Sequence, residues 1–115
     1  MTYMTEKMRR KEAGLPPPCM EFAERPSTLA VYPTDGEKVG LSWSRFVSVR
    51  LRGDTITLRF VEDEIVVHGH NLSSVFEFAL RLGIECLRTI PAAYRSVLDD
   101  SEVVITEIEV RPVKF

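Results

Sequence analysis

Between Val47 and His70 the chain changes polarity at nearly every step: "VSVRLR", "TITLRF" and "IVVHGH" each place apolar residues at alternate positions. Successive side chains of a strand project to opposite faces, so a period of two predicts half-buried strands and not an amphipathic helix. The breaks are short. Gly53-Asp54 separates the first two runs and the acidic Glu62-Asp63-Glu64 the next two, leaving no room for the crossover that parallel neighbours need. Parity then assigns the faces. Val47, Val49, Leu51, Ile56, Leu58, Phe60, Ile65, Val67 and Gly69 turn inward, while Arg50, Arg52, Thr57, Arg59, Val66, His68 and His70 turn outward.

Two more strands precede these. "TLAVYPT" and "EKVGLSW" flank Asp35-Gly36, and an Asp-Gly pair between apolar runs is a strong hairpin signal. Ser42 is placed to cap a short turn that sets Trp43 and Phe46 on one side. After His70 the pattern changes to a helical one. Asn71 is a suitable N-cap, "LSSVFEFALRLGIECLRTI" runs to Pro91 without a proline, and Ser74, Glu77, Arg81, Glu85 and Arg88 form a single polar stripe. A helix over about 72–90 is therefore predicted, apolar around so much of its circumference that a second surface has to cover it. The sheet's curl, the segment after Pro91 or another copy of the chain could do so. "PAAYRSVL" suits a short helical piece and Asp99-Asp100 a turn. A last strand is predicted in "VVITEIEVRPV", with Val104, Thr106, Ile108 and Val110 on one face, Ile105, Glu107, Glu109 and Arg111 on the other, and Pro112 marking an edge.

A length of 115 residues, 44% of them hydrophobic and 28% charged, suits one domain with its own core. Residues 1–27 differ in character: charged clusters and Pro16-Pro17-Pro18 replace sustained periodicity, and they are read as a poorly ordered arm with at most a helical turn or two around Met4, Met8, Arg9 and Arg10. Residues 28–115 form the domain. Its predicted class is α+β: an antiparallel meander of about five strands, one long helix packed on one face, then a C-terminal strand.

Composition narrows function mainly by exclusion. A formal net charge of −2 supplies no global basic field for nucleic acid. No apolar run approaches the ~18 residues of a membrane span and no signal-peptide core opens the chain, so a cytoplasmic protein without a membrane partner is expected. Cys19 and Cys86 stand in unlike contexts and read as free thiols. His68-Gly69-His70 puts two imidazoles on one strand face about 7 Å apart. Zinc needs three or four ligands, and the sequence offers no third histidine, so neither a metal nor another cofactor is expected. Arg52-Gly53-Asp54 spells an adhesion tripeptide but reads as a hairpin turn. Glu62-Asp63-Glu64 and Asp99-Asp100 lack the spacing and the glycine of a calcium loop.

Three functional readings follow. The leading one is a non-catalytic protein-interaction domain, self-associating as a homodimer through the surplus apolar surface of the helix or through an exposed edge strand. A second is a binder of anionic ligands, nucleic acid or a phosphorylated partner, acting through Arg50, Arg52, Arg59, His68 and His70 on the outward sheet face. Nucleic acid is disfavoured because no aromatic residues interleave with the arginines. Least favoured is a metal- or thiol-dependent enzyme using His68, His70 and Cys86. Phosphate-cradling glycine loops, nucleophile elbows and H-E-x-x-H helices are absent from the sequence, and no catalytic residue is assigned.

Overall fold

The computed structural model describes residues 17–97 and 102–113. The helical turns expected around Met4 to Arg10 and the turn at Asp99-Asp100 lie outside the described residues.

The three alternating runs form the antiparallel strands β4 (Phe46–Arg52), β5 (Thr55–Phe60) and β6 (Asp63–His70). β6 starts two residues earlier than the alternation suggests, so Asp63 and Glu64 belong to the strand and not to the turn. Gly53 takes the left-handed φ of 60° that a two-residue hairpin requires of its first position. The C-terminal strand, β8 (Val104–Pro112), adds antiparallel to β6 and gives a sheet of order β4-β5-β6-β8.

The remaining strands form a second sheet, so the expected five-stranded meander is corrected to eight strands in two four-stranded sheets among the described residues. β2 (Thr28–Tyr32) and β3 (Val39–Ser42) make the predicted hairpin, with Gly36 at φ 101° in the connection. β1 (Met20–Phe22), within the stretch read as an arm, pairs antiparallel with β7 (Ile84–Arg88). β7 in turn lies parallel to β2, in the order β1-β7-β2-β3. The class remains α+β.

The 19-residue span predicted as one helix is divided. Helix α1 covers only Ser73–Leu80, and Ile84–Arg88 is strand β7. The break is a helix terminator of the Schellman type: Leu82 N donates to Ala79 O at 3.0 Å and Gly83 N to Phe78 O at 2.9 Å. The apolar surplus of the span is thereby resolved, because Ile84, Cys86 and Leu87 are core residues of a strand. Nor does Asn71 cap the helix. It sits at φ 58° with its amide donating to Glu102 O at 2.8 Å, and Leu72 occupies the N-cap position.

The core lies between the sheets and under α1, built from Leu29, Val31, Ile56, Leu58, Phe60, Ile65, Val67, Val75, Ala79, Ile84, Leu87, Ile105 and Ile108. A short 3₁₀ helix over Trp43–Arg45 crosses from β3 to β4. It brings Trp43 against Phe46 and Phe60 at centroid distances of 5.1 and 5.6 Å, and the indole Nε1 donates to Ile84 O at 2.9 Å. Ser42 holds the N-cap position of this turn as expected, but its hydroxyl pairs with Ser44 at 2.8 Å and makes no cap hydrogen bond.

Two bulges alter the predicted parity. One on β4, between the pairs Phe46/Phe60 and Ser48/Arg59, leaves Val47 56% exposed where alternation had it inward. The other falls at Thr106 of β8, since His68 pairs with Glu107 but Gly69 with Ile105. The extra residue puts both Ile105 and Ile108 in the core, whereas strict alternation assigns them to opposite faces. Gly69 is needed for this β8 backbone: a Cβ there would stand 1.8 Å from Val104 O.

Candidate functional site

Register places the predicted outward residues on one face. Opposite residues of an antiparallel pair point the same way, so the rows Ser48-Arg59-Glu64-Arg111, Arg50-Thr57-Val66-Glu109 and Arg52-Thr55-His68-Glu107 run across β4, β5, β6 and β8. Arg50, Arg52 and Arg59 are exposed together. The face is not uniformly basic, however. β4 and β5 carry Arg50, Arg52 and Arg59, and β8 carries Glu107 and Glu109 with Arg111 paired to Glu109.

The two histidines separate within this face. His70 is exposed and its Nδ1 lies 3.9 Å from Asp54 Oδ2. His68 is half-buried, with Nδ1 3.2 Å from Thr55 Oγ1 and Nε2 3.9 Å from Glu107 Oε1. Glu109 completes a group: the nearest ligand atoms of His68, Glu107 and Glu109 all lie within 4.8 Å of one another. Arg111 donates Nε and Nη2 to one oxygen of Glu109, Oε2, at 3.0 and 2.9 Å. This hydrogen bond is the main cause that holds the Glu109 carboxyl below its usual range.

The thiol reading does not come together. Cys86 is buried on β7 in the other sheet, among Glu21, Glu85 and Arg88, and burial pushes its thiol up to about 12 against the opposing effect of Arg88. Glu21 and Arg88 themselves pair at 2.9 Å, and the guanidinium lies over the Tyr32 ring at 5.3 Å. Cys19 is also buried, and its Sγ accepts from Ile105 N at 3.4 Å.

A third place carries surface features the sequence reading missed. At the C-terminal end of α1, Phe22 of β1 stacks on Phe78 with centroids 5.0 Å apart, and the rings floor a groove of about 520 Å³. Glu24, Arg25, Arg81 and Glu85 form its charged walls. Phe22 is 44% exposed, and Leu80 and Leu82, which flank the groove's Arg81 in the chain, are 56% and 40% exposed. Two of the three non-glycine residues with positive φ among the described residues, Arg25 at 53° and Leu82 at 54°, stand at this spot. Leu82 occupies the position of the helix terminator where glycine is the usual solution. The available signal was Leu82-Gly83, a glycine inside a helical pattern that marks a C-terminus.

No helix of the described residues is long and apolar enough to cross a membrane. Neither a protein-family model nor a curated protein nor a solved structure matches the chain.

Proposed function

We propose that this domain is a non-catalytic interaction module that self-associates through the Phe22–Phe78 groove. The observation that carries the reading is Leu82. A β-carbon in the left-handed region costs about 1 kcal/mol or more, and here the cost supports a large apolar side chain that remains substantially exposed, on the residue between the groove's Arg81 and Gly83. Strain of this kind is retained where a surface is used.

A second copy is the occupant that the charges favour. Each groove presents two cations, Arg25 and Arg81, and two anions, Glu24 and Glu85. A two-fold axis sets the same patch against itself, so each copy's arginines can meet the other's glutamates around a centre of leucine and phenylalanine. The buried thiol of Cys86 suits the reducing cytoplasm in which we place the protein.

Sedimentation of the full chain tests the reading. A dimer is expected at about 100 μM, little changed between low and high salt because the central contact is apolar. Leu82→Asp, a change at an exposed position, is expected to yield a monomer with an unaltered circular dichroism spectrum. Wild-type protein that stays monomeric at that concentration, or a dimer indifferent to Leu82→Asp, overturns the proposal.

A further inference from the structure

The outward face of the β4-β5-β6-β8 sheet holds a group of side chains that the self-association reading does not use. His68 and Glu107 are directly opposed across β6 and β8, and Glu109 is the diagonal neighbour on the same face. Three features make them more than a chance gathering of charge. First, one imidazole nitrogen and two carboxylates form the mixed nitrogen and oxygen donor set of borderline divalent metals. Second, Thr55 lies within hydrogen-bond reach of Nδ1, the ring nitrogen turned away from Glu107. With Nδ1–H donating to Thr55 Oγ1, the Nε2 lone pair is left to face the carboxylates, as an outer hydrogen bond orients a histidine ligand. Third, Arg111 takes only Oε2 of Glu109. The Glu109 and Glu107 carboxyls meet each other in a hydrogen bond, the kind of contact between two acids that a shared cation would replace.

We propose that His68, Glu107 and Glu109 bind one divalent cation of the zinc class, with Thr55 as the positioning residue for the imidazole. Ligand atoms around tetrahedral zinc stand about 3.4 Å apart, given bonds of about 2.1 Å. The present separations, up to 4.8 Å, close by small rotations of side chains that are half-buried or exposed. Water supplies the remaining position on the solvent side. The site also answers the shortage of ligands along the sequence. His70 is not the partner of His68, because the adjacent strand supplies carboxylates instead.

The test uses the full chain, freed of metal with a chelator and titrated with Zn²⁺ by calorimetry, with Co²⁺ absorption as a second probe. One equivalent is expected to bind. His68→Ala and Glu107→Gln are each expected to raise the Kd at least about tenfold, Thr55→Val about tenfold, and His70→Asn to leave it unchanged. The chain has only two histidines, so ring proton NMR of the wild type gives a readout independent of any ligand variant, with His70→Asn assigning the signals. Zn²⁺ should move the His68 ring alone. Absence of binding, equal movement of both rings, movement of neither, or full-strength binding by His68→Ala overturns the site.

Discussion

The carbonyl oxygen of Val104 stands where a side chain on Gly69 would begin, 1.8 Å from the position of a Cβ. Because the clashing atom belongs to backbone, no rotamer change relieves it. Gly69→Ala is expected to force β8 away from the end of β6 and to lower stability by about 3 kcal/mol, at the upper end of the usual range for overpacking. Denaturant unfolding checks this. A loss below about 1 kcal/mol would mean that β8 is not held against β6 as described.

Leu82→Gly is expected to separate folding from association. Glycine takes a φ of 54° without strain, and the side chain it replaces is 40% exposed. The melting temperature should hold or rise, while the dimer weakens in sedimentation. A clear drop in melting temperature would assign the leucine a structural role instead.

Alkaline pH should destabilise the fold through Cys86. Its thiol is pushed from an ordinary 9.0 up to about 12, chiefly by burial. Below pH 9 the native and unfolded chains both hold this proton. Between 9 and about 12 the unfolded chain releases it and the native one keeps it, so stability falls as pH rises, by no more than about 1.4 kcal/mol per pH unit for one group. Unfolding free energies of the wild type and of Cys86→Ala, compared from pH 8 to 11, give the measurement. The wild-type slope in this window should be the steeper, and parallel curves would count against the assignment.

Trp43→Phe is expected to cost about 2 kcal/mol. The indole is buried and donates to Ile84 O, and the substitution leaves that acceptor without its donor while opening a small cavity. Chemical denaturation provides the check, with the β4–β6 signals in amide exchange expected to change less than those of β7.

What the sequence made legible follows from the range of the interactions involved. β4, β5 and β6 are joined by turns of two residues, so parity along the chain carries directly into register, and Arg50, Arg52 and Arg59 emerge on one face as alternation requires. Ile84–Arg88 was misread because a fully buried strand and a buried helix both appear as an apolar run, and its partners β1 and β2 lie far off along the chain. The bulge at Thr106 is invisible to alternation, because a single added residue reverses every facing on one side of it. For the same reason Glu107 and Glu109 could be listed beside Ile105 but not placed beside His68. The aromatic groove draws Phe22 from one end of the chain and Phe78 from the middle, a meeting that no local pattern announces.

The parallel pairing of Ala30 with Cys86 has a consequence for how the molecule is made. Strands β2 and β3 leave the ribosome early, yet the neighbour that completes their sheet is still unsynthesised until Ile84–Arg88 emerges. The locally connected hairpins of β4 to β6 can form in the interval at low entropic cost, whereas closing the long loop between β2 and β7 comes late. During synthesis one flank of β2 therefore stays open, and a nascent chain stalled before residue 84 offers a holding chaperone an unprotected apolar strand.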